Sequence, residues 1–377
     1  MQSVIIARAR QRQAAKSGPC LVVSLMLTLA VAAIMAIPAI SAAPPQQDAN
    51  YHIIKRVVLG GNGFWDYMGF DNAHRHLFVS HGTHVMVINA DTFKVVGDIP
   101  DTPGVHGIAV APKLGRGFIS DGSADQVTVF DLKTLKTIGT VKVTGHNPDC
   151  IAYDPASQRV FTFNGRSGNS TAIDAKTLRV VGTIDLGGRP EFAVADGRGA
   201  IYNNLEDKST ELKINTRTLK IEARWPMAPC ESPSGLAIDT EHRILFAGCH
   251  NQVMAVINAD SGKVLATPSI GQGVDANRFD PGTGLAFSSN GGGDGTLTVV
   301  KEVSPTEFNV VQNAATERGA RTMELDPKTH NVFLITAKFG PMPPEPANQT
   351  SQAQGQRPRF RRPPMVPDSF TLLVLAP

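Results

Sequence analysis

Cysteine is scarce in this 377-residue sequence, and no two of Cys20, Cys150, Cys230 and Cys249 have the Cys-x-x-Cys spacing. Attachment of a c-type haem through Cys-x-x-Cys-His is therefore excluded. The Gly-x-Ser-x-Gly elbow of serine hydrolases is missing as well. The glycine-rich run Asn290-Gly291-Gly292-Gly293-Asp294-Gly295 leads into no Gly-Lys-Ser/Thr and no helical pattern. It reads as the turn of a hairpin, not as a phosphate loop. Aromatic residues make up only 6% of the chain. No helical period of useful length occurs after residue 43, which excludes all-α and α/β architectures.

A dominant charge is also lacking. The formal balance is 36 basic against 33 acidic residues, and four of the basic ones, Arg8, Arg10, Arg12 and Lys16, fall in the first 43 residues, which hold no acid. Without that segment, 36 less 4 leaves 32 basic residues against 33 acidic. A near-neutral chain offers no general attraction for nucleic acid or an anionic membrane. The segment itself has a basic head, an apolar stretch from Cys20 to Ile40 and the small residues Ser41, Ala42 and Ala43. It reads as a secretory signal peptide over residues 1–43. The expected location is periplasmic or secreted, with no membrane span once the segment is removed.

What is present is a repeat. A short strand ending in a turn recurs as DYMGFD (Asp66 to Asp71), HGIAVA (His106 to Ala111), DCIAYD (Asp149 to Asp154) and EFAVAD (Glu191 to Asp196). It continues as SGLAID (Ser234 to Asp239), DANRFD (Asp275 to Asp280) and RTMELD (Arg321 to Asp326). The starts lie 40, 43, 42, 43, 41 and 46 residues apart. Three further strand patterns follow each copy, separated by Asp/Pro/Gly/Asn turns. A period of this size with four short strands is that of a propeller blade. Residues 44–377 are expected to form an all-β, seven-bladed propeller of four-stranded antiparallel blades. The seventh repeat runs out after its third strand near Leu375. The strand at His52 to Leu59 is expected to complete that blade and close the ring.

In this topology the loops entering the first strands and the loops joining second to third strands share one face. Cys230 and Cys249 fall in two such loops of blade five, so they are expected to form a disulfide. Cys150 reads as a small buried filler. The first residues of the seven inner strands gather at the tunnel mouth as Asp66, His106, Asp149, Glu191, Ser234, Asp275 and Arg321. Crowded carboxylates require a cation, an arginine or bound protons, and oxygen-rich sites suit Ca²⁺ or Mg²⁺. Asp66, Asp149, Glu191 and Asp275 are the candidate metal ligands, and Trp65 and Phe64 supply an aromatic wall. His81, His146 and His250 are read as solvated loop histidines, too widely separated to hold zinc or copper. A proline-rich insertion over residues 339–368, with Arg357, Arg359, Arg361 and Arg362, interrupts blade seven above the same face and reads as an extended loop.

The segments PSGLAID (Pro233 to Asp239), VINADSGKVLATPSIGQGVDANRFDPGTGLAFSSN (Val256 to Asn290) and GARTMELDPKTHNVFL (Gly319 to Leu334) resemble the YncE-like, YVTN-repeat family of exported bacterial propellers. The Tyr-Val-Thr-Asn tetrad itself is degenerate: the matching positions read Val79-Ser80-His81-Gly82, Ile119-Ser120-Asp121-Gly122 and Phe287-Ser288-Ser289-Asn290. The resemblance implies the fold and export, and it implies no settled reaction. Related propellers include amine dehydrogenase heavy chains and ring-opening lactonases or lyases. The expected function is a binding or scaffold module whose upper face takes a small ligand, an ion or a protein partner. One alternative is a metal-assisted hydrolase or lyase with His106 as acid/base. Another is the propeller subunit of a periplasmic redox complex.

Overall fold

The inner strands are buried over most of their length, the second strands throughout, and the outermost strands only at alternate residues, as in β10 (Pro148–Asp154), β11 (Arg159–Asn164) and β13 (Val180–Asp185). That gradient follows from the sequence. Second strands such as Arg159-Val-Phe-Thr-Phe carry continuous apolar runs, which suit sheets packed on both faces. The computed structural model describes residues 49–342 and 363–377. Their strands form seven four-stranded antiparallel sheets, with two single-turn 3₁₀ helices as the only helical elements among the described residues.

Blade one is β2 (Met68–Asp71), β3 (His76–His81), β4 (His84–Asn89) and β5 (Val95–Ile99). The next five blades open on β6 (Val105–Ala111), β10, β14 (Pro190–Ala195), β18 (Pro233–Asp239) and β22 (Val274–Asp280). Blade seven is β26 (Arg321–Leu325), β27 (Val332–Thr336), β28 (Thr371–Ala376) and, from the other end of the described chain, β1 (His52–Val58). The N-terminal strand therefore closes the ring, as the repeat count requires. Its pairing with β28 runs from His52 opposite Ala376 to Val58 opposite Thr371. Tyr51, just before β1, anchors it on blade six. Its ring packs edge-on against Phe287 at 5.0 Å, its hydroxyl donates to the His330 carbonyl at 3.0 Å, and its amide donates to Gln312 Oε1 at 2.8 Å.

The core lies between blades. Phe118 and Val127 of blade two pack with Ile151 and Val160 of blade three. Leu77 and Val79 of blade one pack with Phe333 and Leu372 of blade seven, so the core continues through the closure. At the far end of the inner strands, turn aspartates hold the chain reversal. Asp154, Asp280 and Asp326 each accept an amide from two residues on. Several also pair with a basic side chain of a neighbouring blade: Arg243 with Asp196 at 2.9 Å, His330 with Asp280 at 2.7 Å, and Arg75 with Asp326.

The adjacency behind the cysteine pairing is visible throughout the upper face. Loop amides bridge the entering and the second-to-third loops: Gly122 to Gly104, Gly165 to Asn147, Glu206 to Arg189 and His250 to Glu231. Cys230 and Cys249 are disulfide-bonded, with Cα atoms 5.5 Å apart and a sequence separation of 19. Cross-linking a loop of this size stabilises by about 3 kcal/mol. The Cys230→Ser/Cys249→Ser variant should fold but melt roughly 5–10 °C lower. An unchanged midpoint would show that the bridge is dispensable.

The expected signal segment, residues 1–43, and the arginine cluster at 357–362 lie outside the described residues. The roots of the blade-seven insertion are described and form a ladder: Gly340 donates to Pro364 O and Val366 to Lys338 O, each at 2.8 Å. No helix among the described residues is long and apolar enough to cross a membrane.

Candidate functional site at the tunnel mouth

Each inner strand of blades two to seven has a register irregularity near its start. The breaks lie between Val105 and Ile108, Pro148 and Ile151, Pro190 and Ala193, Pro233 and Leu236, Val274 and Asn277, and Arg321 and Met323. A bulge re-aims side chains out of the strand alternation. Here it frees His106, Asp149, Glu191, Ser234 and Asp275 from the ladder at the rim of the tunnel, while in blade seven Arg321 stays paired with Ile335 just before the bulge. In blade seven the bulge carries strain, since the β-branched Thr322 takes φ 51°. In blade one Asp66 lies two residues before β2 and is held by its amide, which donates to Ser80 Oγ at 2.8 Å. Ser120 acts similarly in blade two: its hydroxyl accepts the Gly107 amide at 2.8 Å and donates to the Asp149 carbonyl at 2.5 Å.

The structure brings together Asp66, His106 and Asp149. His106 Nδ1 is 2.7 Å from Asp66 Oδ2 and 3.5 Å from Asp149 Oδ1, and one ligand atom from each residue falls within a 4.8 Å cluster. Across the mouth Arg321 is committed to Asp275 (Nη1–Oδ1 3.2 Å) and to the Trp65 carbonyl (2.8 Å). Its guanidinium also lies over the rings of Phe64 and Trp65, at 5.2 and 5.8 Å. Ser234 turns its hydroxyl onto the Asp275 carbonyl at 3.1 Å. Glu191 has no such partner. The charges acting most strongly on it are all carboxylates, led by Asp149 and including Glu206, Asp66 and Asp275.

Electrostatics follow from this count. Burial, reinforced by the Asp66 charge, pushes Asp149 up to about 7 despite His106. Burial and Asp149 push Glu191 well above the usual carboxylate range. Burial also raises Asp275, with Arg321 opposing. For His106 burial works downward, but the Asp66 hydrogen bond and the Asp149 charge outweigh it and lift the imidazole to about 9. Asp149 is one-fifth exposed, yet it sits in a narrow mouth enclosed on all sides by protein. With all four carboxylates ionised, the mouth would hold four negative charges against one imidazolium and one committed guanidinium, an excess relieved either by the protons these shifts retain or by a bound cation.

Below the rim, Tyr67 and Phe192 pack 4.5 Å apart and Arg278 pairs with Glu324 at 2.9 Å. Cys150 is buried there, and burial raises its thiol far above its ordinary range, in keeping with its reading as an inert filler. Beside the rim lies a cavity of about 460 Å³ lined by Phe64, Trp65, Arg318, Arg321, Phe339 and Met365. The buried Trp65 Nε1 has no hydrogen-bond partner.

Gly122 makes room for His106. A Cβ there would stand 2.5 Å from His106 Cδ2 and 2.6 Å from Nε2. Gly122→Ala should therefore push the ring off Asp66 and bring its titration back from about 9 toward its ordinary value. NMR titration of the His106 ring checks this, and an unmoved titration would contradict the geometry.

One histidine expectation needs correction. His81 is not a solvated loop residue. It is 2% exposed, its ring packs on Phe370 at 4.3 Å and its Nδ1 meets His84 Nε2 at 3.3 Å. Burial lowers it to about 4. His250 is exposed, and His146, also exposed, pairs with Asp125 at 2.7 Å. Sequence reasoning missed Asp125, which fixes Asn147 through its amide at 2.8 Å. It also gave no weight to the His74-Arg75-His76 pair, whose rings stack 5.7 Å apart at the far turn of blade one.

No family model and no curated protein matches this sequence. Solved structures match widely, with 1790 chains alike, so the likeness selects an architecture and no activity. One is a chain from the crystal structure of the mitotic checkpoint complex, with a TM-score of 0.66 and 14% identity. The match covers 82% of this chain and 95% of that one. The class defined by these findings is the seven-bladed β-propeller, a fold that serves generally for binding and scaffolding.

Proposed function

We propose that this is an exported propeller of the YncE-like, YVTN-repeat kind, and that its tunnel mouth is a cation-centred binding site for a small ligand. The carrying observation is the gathering of Asp66, His106 and Asp149 at one point of the mouth, with Glu191 near enough to be acted on by the Asp149 and Asp66 charges and Arg321 already spent on Asp275. The carboxylate oxygens suit a hard divalent cation: Ca²⁺, which accepts the irregular geometry a strand rim offers, or Mg²⁺, which keeps several waters to complete its octahedron. The adjoining cavity supports an organic ligand bearing an anionic or carbonyl group. Such a group would complete the cation's shell, while its apolar part lies against Phe64, Trp65 and Met365. The Cys230–Cys249 bridge supports the exported reading, because oxidising compartments sustain disulfides.

A second reading, a metal-assisted hydrolase or lyase of lactonase-like chemistry, draws on one observation. His106 is held by Asp66 at 2.7 Å at the edge of the same space, where it is placed to move a proton. Metal-free protein titrated with Ca²⁺ tests both readings. Tight uptake that is lost in Asp149→Asn/Glu191→Gln supports the site. Lactone or ester turnover that is then lost in His106→Gln would favour the enzyme. Absence of Ca²⁺ and Mg²⁺ uptake by the native chain would overturn the cation-centred reading.

A further inference from the structure

Glu302 is a buried carboxylate that the fold does not need. Its amide donates to the Gly284 carbonyl, closing the outer hairpin of blade six. The same backbone bond is made in other blades by Ala90, Leu132, Ala175, Thr216 and Ala259, none of them ionisable. All five are buried, so the position asks for a small or apolar side chain. In blade six it holds a glutamate whose side chain is 3% exposed; Oε2 has no hydrogen-bond partner, and Oε1 has only the His242 ring, which it shares with Asp239. A buried carboxylate short of partners is costly.

The carboxylate is not aimed at random. It points at the turn of blade five, where Asp239 ends β18 and His242 follows. His242 Nδ1 is 2.7 Å from Asp239 Oδ2 and 2.7 Å from Glu302 Oε1, and a single N–H cannot serve both. The Asp239 side chain is itself 3% exposed, whereas His242 is 46% exposed. The three converge on a cavity of about 270 Å³ between blades five and six. Blade one supplies an internal control. It repeats the aspartate and histidine as Asp71 and His74, 2.6 Å apart, but the matching position in blade two is Leu132. The Asp–His pair occurs in both turns, and only the blade-five turn is given a third donor.

We propose that Asp239, His242 and Glu302 form a binding site for a divalent transition ion of the zinc type, tying blade five to blade six. One imidazole and two carboxylates make a three-ligand set that suits Zn²⁺ and leaves one position for water on the exposed His242 side. Tetrahedral donors about 2.0 Å from zinc stand roughly 3.3 Å apart, so the ion needs only a small outward movement of His242. This site is separate from the tunnel mouth, and its ligand set differs in including nitrogen.

Co²⁺ is the probe, because its visible absorption reports nitrogen and oxygen ligands in a tetrahedral field. Full-length protein stripped of metal is titrated with Co²⁺ in four forms: native, Glu302→Ala, His242→Ala and Asp149→Asn/Glu191→Gln. Glu302→Ala installs the side chain found in blades one, three and five and is expected to fold. The expected result is one equivalent of intense tetrahedral bands in the native protein, displaced by Zn²⁺. The bands persist in the tunnel-mouth double variant. In Glu302→Ala and His242→Ala they disappear, or affinity falls at least about tenfold. Bands unchanged in Glu302→Ala, or no Co²⁺ uptake by native protein while Glu302→Ala melts higher, would overturn the proposal. The latter outcome would leave His242 as a plain ion-pair partner of the two acids.

Discussion

A chain beginning at residue 60 should show no cooperative thermal transition. Such a chain lacks β1, and β28 would then present an open row of amides and carbonyls at the edge of blade seven. The ring depends on each blade covering its neighbours, so an open blade exposes surface on both sides of the gap. Tyr51 concentrates part of the effect, because its ring and its two hydrogen bonds with Gln312 bind blade six while its hydroxyl bonds the His330 carbonyl of blade seven. Tyr51→Ala alone should cost about 3–5 kcal/mol, the range for removing a large buried aromatic side chain. Calorimetry checks both. A truncated chain that melts within a degree or two of the native one would show that closure is not what holds the ring.

Neutralising the tunnel mouth should have the opposite sign. Asp149 is raised to about 7 and Glu191 well above its ordinary value, so the folded state holds protons that the unfolded state gives up near pH 4. For groups raised on folding, stability is fully present below the unfolded value and is lost as pH climbs through the folded one. For Asp149 the loss accumulates between about pH 4 and pH 7 and reaches on the order of 4 kcal/mol. His106, raised to about 9, gives stability that is present below about 6.5 and lost as pH rises through 9. The cation-free protein should therefore melt progressively lower from pH 5 to pH 9. Asp149→Asn/Glu191→Gln should flatten that slope and melt roughly 5–10 °C higher at pH 8. Added Ca²⁺ should rescue the native chain and leave the double variant unmoved. A native midpoint that rises over this range would contradict the charge count.

The ring of ionisable residues was readable because it depends on spacing alone. Copies about 40 residues apart start their inner strands at one level, so Asp66, His106 and Asp149 had to meet. The disulfide was readable for the same reason, since topology places the loops of Cys230 and Cys249 side by side. Which side chains pair was not readable. That Arg321 serves Asp275 and the Trp65 carbonyl, leaving Glu191 among carboxylates, follows from bulges that sequence patterns do not encode. The serines of the degenerate tetrads, Ser80 and Ser120, brace inner strands through their hydroxyls, a role that asks only for a short hydroxyl side chain. His81 misled because its loop position suggests solvent, while Phe370 of blade seven covers it from the far end of the chain. Glu302 is not distinguished by its residue type; what sets it apart is that its amide makes the backbone bond made in other blades by Ala90, Leu132, Ala175, Thr216 and Ala259.

Isothermal titration of metal-free protein with Ca²⁺ at pH 8, beside Asp149→Asn/Glu191→Gln, tests the central claim most directly. The account predicts one equivalent bound by the native chain, binding that weakens as pH falls toward 5 and protons reclaim the carboxylates, and no binding in the double variant. Equal heats in the two proteins, or none in the native chain with either Ca²⁺ or Mg²⁺, would contradict it.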